Sequence, residues 1–244
     1  TPNRRGKSSP NTQEVFNLKG IKYNDYWGFL NGEKRNSRIK EVNEPILMLN
    51  HYRNFSGSTS RNTNIAYQFG KIGNSRIDSN GGANPSPTYY QNLPSYFLRN
   101  GNFQGAYTTQ KRFLNHGQID WLRIFDANMT AKNSGLENAY VLYEDRNDDK
   151  QFTINTIVTS EVTENISLNG KIAYKRLRSQ NFAKVIDLLG GLGYLDIDPF
   201  GATEDAKQNN LLNPNRIVGK GDNFKYNFNL NSEIIAAFVQ AQFN

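Results

Sequence analysis

The sequence FTINTIVTSEVTENISLNGKIAYKRLR occupies positions 152–178, and its hydropathy alternates with a period of two. Before a predicted turn at Thr163–Asn165, the even positions are Phe152, Ile154, Thr156, Val158, Ser160 and Val162. After the turn, Ile166, Leu168, Gly170, Ile172 and Tyr174 alternate with Ser167, Asn169, Lys171, Ala173 and Lys175. Neighbouring side chains of a strand point to opposite faces of a sheet. The stretch therefore predicts a hairpin of two half-buried strands.

Similar strands recur along the chain and are joined alternately by short turns and long polar loops. We predict strands at 38–53, 61–77, 151–162, 166–178, 224–230 and 234–244, with an irregularity at Pro45. The turns at 54–60, 163–165 and 231–233 are short, whereas the loops 1–37, 78–150 and 179–223 are long. This arrangement is typical of an outer-membrane β-barrel. The predicted fold is therefore all-β, a segment of a transmembrane antiparallel β-barrel with short periplasmic turns and long extracellular loops.

Two segments inside the long loops have helical spacing. Gln118–Ala131 predicts a short helix in the first of them, and Phe182–Leu189 has the same spacing in the second. The glycines Gly190, Gly191 and Gly193 would end this second segment.

The composition suits a barrel better than a helical membrane protein. Only 36% of the 244 residues are hydrophobic, and the mean hydropathy is −0.72. The longest apolar run, Ile234–Val239, is far shorter than the ~18 residues that a membrane helix needs. In a barrel only alternate strand residues face lipid, so a polar composition is compatible with a membrane location. The opening TPNRRGKSSP lacks the apolar stretch of a signal peptide, and we expect the chain to begin mid-protein.

The chemistry-bearing residues give little indication of catalysis. The chain has no cysteine and two histidines, which excludes disulfides and thiolate metal sites and leaves little for zinc or triad chemistry. We predict no enzymatic activity and no cofactor. The net charge of +7 is spread along the chain. That distribution disfavours a nucleic-acid partner and suits loops, a lumen, anionic lipid head groups or an anionic substrate.

Aromatic residues in the predicted loops are the candidate substrate-binding residues, because exposed rings beside polar groups suit sugar, siderophore or peptide sites. They are Tyr23, Tyr26, Trp27, Tyr89, Tyr90, Tyr96 and Trp121. The alternative is that they pack the loops together or anchor at a membrane interface. A weaker candidate is a calcium site at Asp145, Asp148 and Asp149, whose alternative is pairing with Arg146 and Lys150.

Five stretches of the chain carry a resemblance to a known family: RNSRIKEVNEPILMLNHY (35–52), NPSPTYYQNLPSYF (84–97), YEDRNDDKQF (143–152), NFAKVIDLLGGLGYLD (181–196) and NNLLNPNRIVGKGDNFKYNFNL (209–230). They resemble TonB-dependent receptors of the Bacteroidota type. The resemblance implies a barrel of about 22 strands with a plugged lumen. The whole chain 1–244 would then be part of one barrel domain, and the plug domain would lie outside it.

The resemblance also implies a function and partners. The protein would import a scarce solute, such as a siderophore, vitamin, glycan or peptide, across the outer membrane. Its partners would be the bilayer with its lipopolysaccharide, the TonB energy-coupling complex through parts outside this chain, and a surface lipoprotein. Two alternatives stay open: a structural or accessory barrel subunit without transport, and a soluble all-β carbohydrate-binding domain. The barrel predicts that Ile166, Leu168, Ile172 and Tyr174 face lipid, while Ser167, Asn169 and Lys171 face the lumen.

Overall fold

A computed structural model describes residues 3–243 of the chain. Its strands are β1 (Asn3–Gly6), β2 (Trp27–Leu30), β3 (Glu33–Asn36), β4 (Ile39–Asn43), β5 (Ile46–Asn54), β6 (Thr59–Ser79), β7 (Tyr140–Thr163), β8 (Ile166–Asp187), β9 (Tyr194–Leu195), β10 (Ile217–Val218) and β11 (Asn223–Phe243). Its helices are α1 (Gln13–Lys19), α2 (Pro94–Arg99), α3 (Phe103–His116), α4 (Trp121–Asn133) and α5 (Glu204–Lys207), with a 3-10 turn at Tyr90–Asn92. The protein is therefore mostly β, as predicted.

One antiparallel sheet organises the molecule. Its strand order is β1-β4-β6-β7-β8-β11, and β5 pairs with the same edge of β6 as β4 does. The turns 55–58 and 164–165 join the long strands at one end, and residues 80–139 and 188–222 connect them at the other. Over the residues that the structure describes, this sheet keeps two open edges and is not a closed barrel.

The structure corrects several predicted element boundaries. The predicted strands 224–230 and 234–244 form the single strand β11, and the predicted turn at Asn231–Glu233 is wrong. Ser232 pairs with Leu177 and Glu233 with Arg176 inside an uninterrupted ladder. Because three polar residues without glycine do not force a turn, pairing with β8 keeps this segment extended.

The long loops are also shorter than predicted. β6 and β8 continue to Ser79 and Asp187, and β7 begins at Tyr140. The helical prediction for Phe182–Leu189 is wrong, because this segment pairs with both neighbouring strands and buries Ala183 and Val185. The predicted loop 1–37 contains β1, α1 and the β2–β3 hairpin. The predicted strand 38–53 is divided between β4 and β5 around Pro45. The predicted helix at 118–131 is confirmed by α4.

The two faces of the sheet differ in chemistry. We call one the isoleucine face, because one of its rows runs Ile65, Ile154, Tyr174 and Ile235 across β6, β7, β8 and β11. The opposite face, the asparagine face, has hydrogen bonds between facing residues that involve asparagine amides, whereas those of the isoleucine face, such as Thr63 with Thr156, join hydroxyl groups. Asn64 Nδ2 donates to Asn155 Oδ1 over 3.0 Å, Thr159 Oγ1 donates to Asn169 Oδ1 over 2.8 Å, and Asn147 donates to Asn181.

β8 distributes its side chains over these faces as its sequence period predicts. Ile166, Leu168, Ile172 and Tyr174 lie on the isoleucine face, and Ser167, Asn169 and Lys171 lie on the asparagine face. The edge strand β11 differs, because Ile234 and Phe238 add apolar side chains to its asparagine face.

The buried core lies at the long-loop end of the sheet. One cluster packs Tyr194 and Phe224 on the ends of β7 and β8, and a second packs α4 on Tyr140 and Leu142. A third joins α1 to α3. None of the helices between residues 3 and 243 is long and apolar enough to cross a membrane.

Candidate functional site

The candidate site is a cleft of 540 Å³ in the segment between β6 and β7. Residues 83–87, the last turn of α3 and the first turn of α4 form its walls, and Tyr140 and Ile124 also line it. This volume lies within the range of 300–1,000 Å³ that is usual for small-molecule sites.

A buried asparagine fixes α4 against the sheet. Asn128 is fully buried, and its Nδ2 donates to the carbonyl oxygens of Tyr140, Leu188 and Leu189 over 2.9–3.1 Å. Its Oδ1 accepts a hydrogen bond from the Tyr140 backbone N–H over 3.0 Å. The side chain thereby supplies hydrogen-bond partners to backbone groups at the buried end of the sheet. It ties the helix to the start of β7 and the end of β8.

The first turn of α4 is fixed by Trp121. This side chain has no solvent exposure, and its Nε1 donates to the carbonyl oxygen of Arg35 over 3.0 Å. The Arg35 guanidinium lies 4.6 Å from the indole centroid and forms an ion pair with Asp187 over 2.6 Å. The β2–β3 hairpin, α4 and the end of β8 are therefore held together beside the cleft.

The last turn of α3 is fixed by a second aromatic contact. Phe113 packs edge-on against Tyr23 with centroids 5.5 Å apart, and the Tyr23 hydroxyl donates to the carbonyl oxygen of Gly117. Burial raises the pKa of the Tyr23 hydroxyl above its ordinary value, and the nearby Asp25 raises it further. Tyr23 is thus a neutral hydrogen-bond donor at physiological pH.

Tyr140 fixes the opposite wall. Its hydroxyl donates to the carbonyl oxygen of Ala83 over 2.6 Å. Burial raises the pKa of this hydroxyl, and the positive charge of Arg123 offsets part of the increase. The neutral phenol therefore holds residues 83–87 in place beside the helices.

The cleft is electropositive. Arg112, His116 and Arg123 line it with exposed side chains, and Asn115 lies between the first two. Asp120 is the one carboxylate among the lining residues, and its Oδ1 accepts the Arg123 backbone N–H over 3.0 Å as the cap of α4. Two guanidinium groups are therefore available to an anionic group, because arginine donates several hydrogen bonds in a fixed geometry.

The cleft also offers apolar surface. Phe29 and Leu122 line it, and each is 55% exposed. A ligand that combines an acidic group with an apolar or ring surface would satisfy both parts of the lining.

The predicted aromatic site residues separate into three groups. Tyr23 and Trp121 are buried, so the prediction that they present rings to a ligand is wrong. Tyr89, Tyr90 and Tyr96 form one cluster, with centroid distances of 4.7 and 5.7 Å between consecutive rings. Tyr90 is exposed in this cluster, which lies next to the cleft in sequence but outside its lining.

Tyr26 and Trp27 lie elsewhere. Trp27 packs edge-on against Phe29 and has the Lys34 ammonium 4.9 Å from its ring, and Tyr26 has the Arg38 guanidinium 5.3 Å away. The structure therefore does not unite the seven aromatic candidates in one site. Trp27 contacts the cleft lining indirectly, because its ring packs against Phe29, which lines the cleft.

The three carboxylates of the calcium candidate do not converge. Asp145 and Asp149 lie on the asparagine face of β7, and Asp148 lies on the isoleucine face. Asp148 binds the Arg146 guanidinium over 2.8 Å, and Asp145 pairs with Arg76. Across residues 3–243, no group of three or more His, Cys, Asp and Glu side chains could hold a metal ion. The calcium prediction is therefore wrong.

Sequence reasoning missed the polar lining of the cleft. Arg112, Asn115 and His116 have the i, i+3, i+4 spacing that puts side chains on one face of a helix. That spacing was available in the sequence, but α3 was not predicted. Neither a family model, nor a curated protein, nor a solved structure matches this chain.

Proposed function

We propose that this chain forms part of the wall and the extracellular loops of an outer-membrane β-barrel transporter of the TonB-dependent type. The observation that carries the proposal is a boundary on the isoleucine face. On each of three neighbouring strands, the apolar-rich half of this face next to the short turns ends with an aromatic residue, and the next residue on the same face is a cation. The pairs are Phe69 and Lys71 on β6, Phe152 and Lys150 on β7, and Tyr174 and Arg176 on β8.

This order matches the depth profile of a membrane barrel. Aromatic rings gather at the membrane–water interface of such barrels, at the border of an apolar outer band. Towards the short turns, the isoleucine face carries Ile154, Val158 and Ile172, with Arg61 of β6 opposite Val158. Towards the long loops, it carries Asp148, Arg146 and Gln180. A soluble sandwich would bury these apolar side chains in a core, whereas Ile172 is 58% exposed.

The height of the apolar band fits a bilayer. From Phe152 to Thr163, β7 covers about 37 Å at about 3.4 Å per residue. Strands in outer-membrane barrels tilt by about 35–45°, which would reduce this length to about 26–30 Å along the membrane normal. The expected apolar band is about 25 Å tall.

The other face and the ends of the sheet agree with this placement. The hydrogen-bonded Asn and Thr side chains of the asparagine face suit a polar lumen. The short turns would lie on the periplasmic side, and the cleft would lie outside the cell. Because a sheet in lipid must have every backbone group paired, β5 and β11 would each pair with a further strand. A barrel of about 22 strands, a plug and TonB coupling stay predictions from the resemblance.

The solute would bind in the cleft before import. The guanidinium groups of Arg112 and Arg123 would receive a carboxylate or phosphate, while Phe29 and Leu122 contact the apolar part. A scarce acidic solute, such as an acidic sugar, has this chemistry. A surface lipoprotein partner would contact the same extracellular side.

The membrane placement is tested by a matched pair of substitutions on β8. Leu168→Arg puts a charge on the isoleucine face, and Asn169→Arg puts the same charge on the asparagine face. We expect Leu168→Arg to cost about 2–4 kcal/mol near the bilayer midplane, and Asn169→Arg to cost little. Urea unfolding in lipid vesicles measures both values. Equal losses on the two faces would contradict the proposal.

The solute class is tested separately by thermal unfolding in the presence of hexoses, hexose phosphates and uronic acids. A bound ligand raises the unfolding temperature according to its concentration and affinity. We expect acidic sugars to raise it and neutral hexoses to leave it unchanged. The Arg112→Gln/Arg123→Gln variant should lose the increase, whereas Lys132→Gln, outside the cleft lining on α4, should retain it. An equal effect of neutral sugars would exclude the acidic class.

A further inference from the structure

We infer that Lys150 and Arg178 form a binding site for the phosphate head group of an outer-leaflet lipid. The inference rests on the proposed membrane placement and adds to it a defined lipid contact.

The two cations face each other directly. Lys150 on β7 and Arg178 on β8 are partners in the strand register, and both side chains are exposed on the isoleucine face. Side chains directly opposite one another in an antiparallel pair have Cβ atoms about 4.5–5.5 Å apart, and like charges there are destabilising. An anion between the two groups would remove this repulsion.

The neighbouring cations of this face already have carboxylate partners. Lys71 pairs with Glu41 over 3.0 Å, and Arg176 pairs with Glu233 over 3.2 Å. Arg146 binds Asp148, the acidic residue nearest to Lys150 on this face of β7, over 2.8 Å. Among residues 3–243, no carboxylate lies within ion-pair distance of Lys150 or Arg178.

The site lies at the depth of lipid head groups. On the isoleucine face, the paired residues Lys150 and Arg178 lie one residue pair closer to the long loops than the paired rings of Tyr67 and Phe152. A recess of 950 Å³ opens there, and Lys150 and Arg178 line it. Its other charged lining residues are the cations Lys71 and Arg176 and the carboxylates Asp148, Asp149 and Glu233. Arginine and lysine are the side chains that bind phosphate oxygens, arginine through two parallel N–H donors and lysine as a point charge.

The rings beside the site favour a lipid over a free anion. Tyr67 and Phe69 stack with centroids 5.4 Å apart on the same face, and both are exposed. A ligand that contacts the two cations and this aromatic surface together combines an anionic group with an apolar part, as a phosphate joined to acyl chains does. A membrane phospholipid or lipid A has both groups in this order along its length.

The test uses the whole protein in neutral maltoside micelles titrated with lipid A. Lys150→Gln/Arg178→Gln removes the site, and Lys171→Gln/Lys175→Gln removes two cations from the asparagine face of β8 as a matched control. We expect the first variant to bind lipid A at least about tenfold more weakly, since each charge-assisted hydrogen bond is worth that much or more. The control should bind as the unaltered protein does.

A third variant separates binding from folding. Arg178→Glu converts the facing cations into an ion pair, so the unfolding temperature should stay the same or rise while lipid A binding is lost. Unchanged binding by Lys150→Gln/Arg178→Gln would overturn the inference. So would equally strong binding of inorganic phosphate alone, which would show a site for free anions.

Failure of the inference differs from failure of the proposed function. If Leu168→Arg and Asn169→Arg have equal effects, the membrane placement itself fails and the lipid site fails with it. If the two differ as expected but Lys150→Gln/Arg178→Gln keeps its affinity for lipid A, only the lipid site is wrong.

Discussion

At the scale of single residues, Trp121 shows how far a sequence can indicate a role. An aromatic residue in a polar segment predicts either ligand contact or packing, and the residue type alone does not distinguish them. The structure buries Trp121 under Arg35. That contact joins residues 86 positions apart, so no local pattern contains it. The polar lining of the cleft depends in the same way on the approach of α3, α4 and residues 83–87.

Truncation of Trp121 should therefore act on stability. Trp121→Ala removes a fully buried ring and a hydrogen bond to the Arg35 carbonyl oxygen. We expect a loss of about 3–5 kcal/mol, as for other buried aromatic residues. The adjacent Leu122 is 55% exposed, so Leu122→Ala should cost less than about 1 kcal/mol. Denaturant unfolding in detergent measures both, and similar losses would contradict the packing role.

Tyr194 gives the core a dependence on alkaline pH. Its hydroxyl donates to Asp78 over 2.9 Å, and burial followed by the charge of Asp78 raises its pKa. Tyrosine is neutral below its pKa, and in the unfolded chain it ionises near pH 10. The stabilising effect is therefore complete below about pH 10 and is lost as the pH rises above it.

The measurement is the free energy of unfolding between pH 9 and 11.5. Tyr194 alone should contribute a fall of at most about 1.4 kcal/mol per pH unit above pH 10. Tyr194→Phe should show a shallower fall, while Tyr107→Phe, on an exposed part of α3, serves as the control. Identical slopes in the Tyr194→Phe variant and the unaltered protein would show that this hydroxyl does not titrate differently in the folded state.

At the scale of elements, the kink between β4 and β5 depends on Gly70. Both strands pair with one edge of β6, and the chain passes from one to the other at residues 44–45. Gly70 has a φ of 143°, and a Cβ there would lie 1.9 Å from the Asn43 carbonyl oxygen. L-residues rarely adopt that φ, so the position requires glycine.

Gly70→Ala should consequently cost more than about 2 kcal/mol, from backbone strain and from the displacement of Asn43. Gly170 on β8 is a matched control, because a Cβ there would meet only the Phe238 carbonyl oxygen at 4.0 Å. Gly170→Ala should change the free energy of unfolding by less than about 1 kcal/mol. Urea unfolding of the two variants under identical conditions gives the comparison. A cost for Gly170→Ala as large as that for Gly70→Ala would rule out the steric explanation.

The strands themselves were the most predictable elements. Alternation identified β6, β7 and β8 because each has one apolar and one polar face over half of its length. Alternation failed to identify the ends of these strands next to the long loops, where both faces of the strand are polar or buried and the period of two disappears. β11 was divided in two because Asn231, Ser232 and Glu233 have turn-like composition, whereas pairing with β8 determines their conformation.

At the scale of the whole molecule, the aromatic boundary of the isoleucine face predicts how the sheet lies in a bilayer. The aromatic residues of this boundary are not paired with one another across the strands. Tyr174 pairs with Ile154 rather than with Phe152, and Phe152 pairs with Tyr67 rather than with Phe69. From β8 to β6 the boundary therefore shifts by one residue pair of this face per strand. If these aromatic residues all lie at the membrane surface although they are offset along the strands, the strands must be tilted relative to the membrane normal. Barrels of this kind have tilts of about 35–45°.

Polarised infrared spectroscopy of the protein in oriented bilayers measures this tilt through the dichroism of the amide bands. We expect the mean strand direction to lie about 35–45° from the membrane normal. Strands lying in the membrane plane would mean that the sheet rests on the surface, and the apolar band would then contact lipid through one side only. In that arrangement Ile154, Phe152 and Lys150, which follow one another on the isoleucine face of β7, would all lie at one depth, and the aromatic boundary would lose its explanation.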